Sequence, residues 1–208
     1  MRITFLVERP TQFEAPFFRY AATAPGEGRL RVLFTGSEVG RPVHDPELGR
    51  EVSWGMDLLA GYPHAICPPH GRRRWLAREI TRASSDLLIV NGYTQGSYLL
   101  AASLARATGV PTALRLDSVL WRDAPPPGPV KLLAFSAFLP RLYNLFLGVG
   151  TLTLDFLAAC GLPAERTGLF PYAVDVEHFR SASRLASEQR AQARARWGLS
   201  ADTKVVLA

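Results

Sequence analysis

The sequence predicts an α/β protein whose Rossmann-like parallel sheet carries helices on both faces. Short apolar runs alternate along the chain with segments whose apolar residues recur at helical spacing. Gly-x-Pro triplets at 109–111 and 161–163 each end a predicted helix, because Gly adopts the left-handed cap and Pro cannot continue the helix. With 48% hydrophobic and 20% charged residues among 208, the chain has the composition of a globular protein with a buried core.

The apolar runs and the helical spacings define the predicted elements. Candidate buried strands are 3–7, 30–34, 65–66, 87–90, 112–116, 146–149 and 167–170. Candidate helices are 16–23, 75–83, 97–108, 130–145, 153–160 and a polar helix over 180–197. A connecting turn is predicted at 24–28, and the Pro-rich segment 123–129 predicts a stiff surface loop. Strands that alternate with helices in this way form a parallel sheet.

The chain is predicted to have three parts, at 1–176, 177–203 and 204–208. The first is the Rossmann-like domain and the second is a linker with a polar helix. A fresh apolar strand begins at Lys204, and a strand that opens a parallel unit needs further elements to cover its faces. We therefore expect 204–208 to be the first strand of a second α/β domain. The alternative is an edge strand of the first sheet.

The composition argues against several classes of protein. Cys67 and Cys160 lie far apart with no Cys or His at metal-ligand spacing, so we predict no disulfide framework, no metal site and a cytoplasmic location. Charged and polar residues interrupt the longest apolar stretch, 130–152, which is therefore not expected to span a membrane. The apolar run 3–7 is too short for a signal peptide.

A net charge of +6 and a pI near 9.8 favour anionic partners without choosing among them. The Arg-rich segments 72–74 and 180–196 are interpreted as solvated helix faces, and no nucleic-acid motif accompanies them, so nucleic acid is not a predicted partner. Gly-Val-Gly at 148–150 lacks the third glycine of the nicotinamide fingerprint, and no Gly-rich turn follows the first strand. A nicotinamide-binding protein is therefore not predicted.

Polar loops after the predicted strands form the candidate site, because ligands of open α/β sheets bind at the carboxyl ends of strands. Glu8, Gln12 and Phe13 follow the first strand. Aromatic rings beside amides and carboxylates suit a sugar, whose C–H faces stack and whose hydroxyls need hydrogen-bond partners. The alternative is that Phe13, with Phe17 and Phe18, belongs to the core.

A second polar loop follows the strand 87–90 and contains Asn91, Tyr93 and Thr94. It is a strand-to-helix turn whose free N–H groups could hold a hydroxyl or an anion. The alternative for Thr94 is a helix cap.

A third candidate follows the strand that begins at Thr112. Arg115 and Asp117 occupy alternate positions and therefore point to the same face of the sheet, with Ser118 next to them. A charged pair at the end of a parallel strand is a common place for reactive groups, so both are candidate catalytic residues. The alternative is a structural ion pair between the two.

The stretch after the last strand of the first part carries a more specific signal. Pro171, Val174, Asp175 and Phe179 match the order of an apolar strand, Pro, a short turn ending in Val-Asp, and Phe. This pattern resembles the interdomain hinge of family 4 GT-B glycosyltransferases, although Tyr172 stands with Ala173 where Asn-Gly is common. Segments 154–162, 194–198 and 204–208 resemble the family's preceding helix, linker helix and first strand of the second domain.

The resemblance implies a retaining transfer of a sugar from a nucleotide-sugar donor to a hydroxyl of a glycan, lipid or small molecule, usually without a metal or other cofactor. It implies that residues 1–176 form the N-terminal acceptor-binding domain, and that Pro171, Tyr172, Asp175 and Phe179 form a hinge. Arg115 would then steady phosphate or acceptor charge, and Asp117 would orient an acceptor hydroxyl. The donor would be held mainly by a second domain, so this chain alone would be inactive.

One feature departs from the family pattern, and two questions about the function stay open. The loop 8–13 lacks the Gly-Gly pair that often approaches the donor phosphates in the family. The helix 130–145, with Phe135, Phe138 and Leu139, could rest on the inner membrane face as a peripheral contact, or pack in the core. The alternatives to a transferase are a sugar-nucleotide epimerase of the same fold and a non-catalytic module that binds a glycan or nucleotide.

Overall fold

The structure is a computed structural model that describes residues 1–24, 29–36, 39–40, 43–45, 49–52, 57–119, 128–184 and 187–206. The chain divides into two compact units, Met1–Val174 and Asp175–Ala208. Most of the turn predicted at 24–28 and of the loop predicted at 123–129 lies outside the described residues.

Nine strands are present in the described part of the chain. They are Arg2–Val7 (β1), Arg29–Phe34 (β2), Val43–Asp45 (β3), Arg50–Val52 (β4), His64–Ile66 (β5), Leu87–Asn91 (β6), Thr112–Leu116 (β7), Leu145–Gly148 (β8) and Thr167–Leu169 (β9). The α-helices are Ala15–Thr23 (α1), Arg72–Glu79 (α2), Gly96–Ala107 (α3), Pro129–Leu133 (α4), Leu139–Leu142 (α5), Thr151–Ala159 (α6), Val176–Ala182 (α7) and Ser187–Arg196 (α8). A π-helical turn, Ala134–Phe138, joins α4 to α5, and a 3-10 turn, Ala164–Arg166, precedes β9.

The main sheet has the strand order β5-β2-β1-β6-β7-β8-β9, and every neighbouring pair is parallel. All seven predicted strands of the first part are therefore confirmed, together with the Rossmann-like α/β fold. The chain winds outward in one direction from β1 to β5 and in the other from β6 to β9. Their order reverses between β1 and β6, and a crevice forms at such a switch point because the adjoining loops diverge.

Helices cover both faces of the main sheet, as predicted. Side chains of the central strands alternate between the two faces. Leu6 and Val90 belong to a buried cluster that includes residues of α2, α3 and α6. Phe5 and Ile89 belong to a second cluster with Phe18 of α1. The sheet is thus buried on both sides, which explains why its strands are almost continuously apolar in sequence.

Three predicted elements differ in the structure. The antiparallel pair β3 and β4 was not predicted, because its short strands carry charged and polar residues without an apolar run. The predicted helix 130–145 contains the π-helical turn, in which the Leu139 N–H bonds to the Ala134 carbonyl; Pro140, one residue on, has no N–H to continue the regular ladder. The predicted helix 180–197 is replaced by two separate helices, α7 and α8.

The second unit contains α7 and α8. Asp175 caps α7, since its Oδ1 accepts a 2.9 Å hydrogen bond from the backbone N–H of His178. None of its described side chains with an assigned exposure is buried. The strand predicted at 204–208 is not formed over 204–206, where no strand pairing is present; 207 and 208 lie outside the described residues. A second domain beginning there stays a prediction.

Two expectations about the surface can be compared with the described residues. Arg72, Arg73 and Arg74 are exposed on α2, as expected of a solvated helix face. Among all the residues that the structure describes, no helix is long and apolar enough to cross a membrane.

Candidate functional site

The carboxyl ends of β1, β6 and β7 converge with the segment that follows β9. Asn91 at the end of β6 is the register partner of Arg115 in β7, and the Gly92 N–H donates to the Arg115 carbonyl at 2.9 Å. Gly92 has φ of 118°, which favours glycine, and a Cβ there would lie 3.2 Å from the Tyr98 ring. The chain can therefore turn sharply at the switch point.

Two adjoining pockets occupy this edge of the sheet, with volumes of about 570 and 200 Å³. Both are lined by Asn91, Gly92, Thr94, Asp117 and Tyr172, so we treat them as one cleft. The further residues that line the cleft are Val7, Glu8, Arg9, Thr11, Phe13, Glu14, Tyr93, Gln95, Tyr98, Arg115, Leu116 and Ser118.

The floor of the cleft contains a buried ion pair. Nη1 of Arg115 lies 3.4 Å from Oε1 of Glu14, and their side chains are only 4% and 3% exposed. The same Oε1 accepts a 2.5 Å hydrogen bond from Nδ2 of Asn91, and Oε2 accepts one of 3.2 Å from the Thr11 hydroxyl. Burial raises the pKa of Glu14, while the Arg115 charge and the Thr11 hydrogen bond offset part of that rise.

Arg115 also holds the segment that follows β9. Its Nε donates to the Phe170 carbonyl at 3.3 Å and its Nη2 to the Pro171 carbonyl at 3.2 Å. Its guanidinium carbon lies 4.9 Å from the centre of the Phe170 ring and 4.5 Å from that of Tyr172. A single arginine thus connects β7, the start of α1 and the segment 170–172.

The wall above this floor combines a carboxylate with two aromatic rings. The Tyr172 hydroxyl donates to Oδ2 of Asp117 at 3.2 Å, and the Tyr172 and Phe13 ring centres are 5.6 Å apart. Phe13 and Tyr172 are 41% and 42% exposed, and Asp117 is exposed. Burial, with Asp117 nearby, raises the pKa of Tyr172 to about 12, so its hydroxyl keeps its proton near neutral pH.

The opposite wall is built on Glu8 at the end of β1. Its Oε2 accepts a 2.6 Å hydrogen bond from Nε2 of Gln95, and its Oε1 lies 3.7 Å from Nη2 of Arg9. The Glu8 carbonyl accepts a 2.7 Å hydrogen bond from the Gly36 N–H, which ties this loop to the end of β2. At the other end of the cleft, the Tyr93 hydroxyl and the Ser118 hydroxyl are 2.9 Å apart.

The structure places most of the predicted site residues in the cleft. Those that line it are Glu8, Phe13, Asn91, Tyr93, Thr94, Arg115, Asp117, Ser118 and Tyr172. Gln12 lines neither pocket. Phe18 lies in the core, as the alternative for this loop stated, whereas Phe13 is exposed, as the sugar-binding interpretation requires. Their functional roles stay predictions.

Arg115 and Asp117 do not form the direct ion pair that was the structural alternative for them. Arg115 points into the floor and pairs with Glu14, whereas Asp117 follows the strand and bonds to Tyr172. Its Nε, Nη1 and Nη2 each donate one hydrogen bond, to one carboxylate and two carbonyls, so Arg115 acts here on protein groups. A direct role for Arg115 on phosphate stays a prediction without a contact to support it.

The predicted hinge residues fall into two groups. The Pro171 carbonyl bonds to Arg115, and Tyr172 lines the cleft. Asp175 and Phe179 belong to the second unit, where Asp175 caps α7 and Phe179 is 48% exposed. A hinge function for the four stays a prediction.

Glu14, Gln95 and Thr11 line the cleft but were not singled out from the sequence. Glu14 and Thr11 lie in the loop after β1, yet the signal that distinguishes Glu14, its burial against Arg115, is a tertiary contact between residues 101 apart in sequence. Gln95 follows the turn at Asn91 and lies beside a predicted site residue. No group of three or more His, Cys, Asp or Glu side chains that could hold a metal ion is present among the residues that the structure describes.

Comparison with known proteins gives matches at the level of structure. No protein-family model and no curated protein matches the chain. HepE of Anabaena, in complex with UDP and glucose, matches with a TM-score of 0.60 and 13% identity, over 95% of this chain and 50% of HepE. A glycosyltransferase of Rickettsia africae matches with a TM-score of 0.58 and 7% identity, over 97% of this chain and 50% of that protein.

A UDP-GlcNAc 2-epimerase of Neisseria meningitidis, bound to UDP-GlcNAc, matches with a TM-score of 0.55 and 12% identity, over 94% of this chain and 54% of the epimerase. The chain therefore spans about half the length of these structural neighbours. At these identities the likeness shows the fold alone. The chain has the Rossmann-like α/β fold of GT-B glycosyltransferase-like proteins.

Proposed function

We propose that this chain is the acceptor-binding part of a glycosyltransferase that uses a nucleotide sugar. The observation that carries the proposal is the cleft at the switch point, where carboxylates, amides and hydroxyls surround two exposed aromatic rings. Sugars are bound by this combination, because rings stack on their C–H faces and polar groups pair with their hydroxyls. HepE, which has the same fold, is described in complex with UDP and glucose.

The proposal gives each part of the cleft a task. Asp117 accepts a hydrogen bond from the acceptor hydroxyl and orients it, as an exposed carboxylate at the mouth of the cleft can do. Phe13 and Tyr172 contact the apolar face of the ring. Arg115 holds Tyr172 and the segment before it in place.

The finer features of the resemblance belong to the same proposal. We infer a family 4-like hexosyltransferase that retains the anomeric configuration and has no metal or other cofactor. The donor is held mainly by residues beyond this chain, and the segment 171–179 acts as the hinge, so the chain alone has little or no transferase activity. Its location is cytoplasmic, with a peripheral membrane contact through the exposed Val130, Leu133 and Phe138. Phe135 and Leu139, which the sequence also suggested for this contact, are buried in the core instead.

The test uses the protein encoded by the complete gene. It is incubated with UDP-hexoses and a panel of hydroxyl acceptors, and mass spectrometry measures free UDP and glycosylated product. A transferase releases UDP in step with a glycosylated product. An epimerase converts the nucleotide sugar to its epimer without an acceptor, and a binding module gives neither product; either result overturns the proposal.

Matched variants connect the activity to the cleft. Asp117→Asn is expected to lower kcat more than it raises KM for the acceptor, because the oriented hydrogen bond counts most in the transition state. Asp155→Asn is the control, since Asp155 is exposed on α6 and lines neither pocket. Equal activity of the two variants would remove Asp117 from the proposed role.

A further inference from the structure

The charges that line the cleft do not balance. Three carboxylates and two guanidinium groups are among its described lining residues: Glu8, Glu14, Asp117, Arg9 and Arg115. These described lining residues therefore carry one excess negative charge, whereas the chain as a whole has a net charge of +6. A local sign opposite to the net charge indicates that the cleft is not simply part of a basic surface.

The pairing of these groups identifies where the excess charge lies. Arg115 is matched by Glu14 at 3.4 Å, and both are buried. Arg9 is matched by Glu8 at 3.7 Å. Asp117 is exposed, and the hydrogen-bond donor that the described residues give it is the neutral Tyr172 hydroxyl. Asp117 also lies in the field of Arg115, but among the described residues it forms a direct ion pair with neither guanidinium group, so we assign the excess negative charge to it.

Tyr172 fixes this charge at the mouth of the cleft. Its hydroxyl holds one oxygen of the carboxylate at 3.2 Å, and its ring lies 4.5 Å from the Arg115 guanidinium carbon. The guanidinium thus covers one face of the Tyr172 ring, and the exposed Phe13 ring stands 5.6 Å from it. A ligand ring that enters here meets an aromatic surface on one side and, at its rim, a carboxylate oxygen to which the described residues donate no hydrogen bond.

We propose that the cleft selects its acceptor by charge: it binds a neutral or amino-bearing sugar ring, disfavours a ring that carries a carboxylate or phosphate, and Asp117 sets this preference. The proposal rests on the proposed acceptor-binding function and names its substrate class. A ligand ammonium group close to Asp117 gains an opposite charge, while a ligand carboxylate at the same place meets a like charge. At a partly solvated site this difference corresponds to an affinity ratio on the order of tenfold.

The test compares three methyl glycosides that differ in charge: methyl glucoside, methyl glucosaminide and methyl glucuronide. The whole 208-residue chain, labelled with ¹⁵N, is titrated with each one, and the amide shifts of Asn91, Gly92 and Thr94 report binding in the cleft. We expect the glucosaminide to bind more tightly than the glucuronide by about tenfold. The ratio should decrease as salt is added, because the site is open to solvent.

Three variants separate charge from shape. Asp117→Asn should bring the affinities of the glucosaminide and the glucuronide together. Tyr172→Phe keeps the ring but removes the hydroxyl that holds the carboxylate in place, so it should reduce the preference. Asp155→Asn removes the same charge from α6, away from the cleft lining, and should preserve the preference.

Either of two results would overturn the inference: the glucuronide binds at least as tightly as the glucosaminide, or Asp117→Asn keeps the wild-type ratio. Absence of cleft shifts with all three glycosides would overturn it as well. The outcome is distinct from that of the transferase test. A charge preference without transfer by the complete gene product refutes only the enzyme, and transfer without a charge preference refutes only this inference.

Discussion

Arg115 carries a full positive charge in a buried position. The stability of the fold therefore depends on the groups that compensate this charge. Removing one member of a buried ion pair leaves the other charge uncompensated, which costs about 3–5 kcal/mol. We expect Glu14→Gln to lower the free energy of unfolding by roughly this amount, because Arg115 stays buried beside a neutral amide. Urea unfolding of the chain measures the change.

The double variant Glu14→Gln with Arg115→Met is the control for this pair. It removes both charges and keeps the volume of the floor nearly filled, so it should be more stable than Glu14→Gln alone. The single variant Arg115→Met completes the cycle. If the two single changes simply add in the double variant, the pair does not interact as the 3.4 Å contact predicts.

A second ion pair predicts how stability varies with acid. Arg2 donates hydrogen bonds to Asp86 and lowers the pKa of that carboxyl to about 2. A depressed carboxyl pKa stabilises the fold above the unfolded value of about 3.9, and the benefit is lost as pH falls toward the folded value. The stability difference between wild type and Asp86→Asn should therefore be largest near neutral pH and vanish below about pH 2.

Chemical unfolding across that pH range gives the measurement, with Asp155→Asn as an exposed aspartate variant for comparison. If the difference in the free energy of unfolding between wild type and Asp86→Asn did not change with pH, Asp86 would act through its shape and not through its charge.

Among the elements, the loops after β1 and β2 are locked together at Gly36. A Cβ added there would lie 2.6 Å from the Glu8 carbonyl oxygen, which already accepts the Gly36 N–H. Backbone cannot yield like a flexible side chain, so Gly36→Ala should displace the Glu8 loop. We expect a lower melting temperature and weaker binding of methyl glucoside.

Gly150→Ala is the matched control for that change. A Cβ on Gly150 would meet nothing within 4 Å, and its backbone is extended, with φ of −153°. It should alter glycoside binding little. If Gly36→Ala binds methyl glucoside as well as Gly150→Ala does, then the Glu8 loop does not shape the cleft.

The strands and loops also show which features of the fold and the site could be predicted from the sequence. Strands such as β1, β6 and β7 are buried on both faces, so their apolar runs are unambiguous. The pair β3 and β4 has no such run and was missed. Loops that follow parallel strands meet at one edge, which is why Asn91 and Asp117 could be assigned to one site. The role of Glu14 could not, since only the folded sheet brings it to Arg115.

At the scale of the whole molecule, the two units should differ in local stability. The strands of the first unit are buried, whereas the described side chains of α7 and α8 with an assigned exposure are exposed or half-buried. Few buried apolar contacts mean a low free energy of local opening. Hydrogen exchange should therefore be slow for amides of β1, β6 and β7 and fast for those of α7 and α8.

Mass spectrometry or NMR of the intact chain can follow this exchange. Protection of α7 and α8 equal to that of β6 would show that the second unit opens only with the first.

The strand order has a consequence for when the cleft is completed during synthesis. The described residues that line the cleft lie within 7–14, 91–98 and 115–118, with Tyr172 the last of them in the chain. Each parallel pairing closes a long stretch of chain, so these contacts are slow to form. A nascent chain that has emerged only as far as β8 holds Arg115 without the two carbonyls that later anchor it. The cleft is therefore expected to be completed late, when the segment after β9 leaves the ribosome and docks on Arg115.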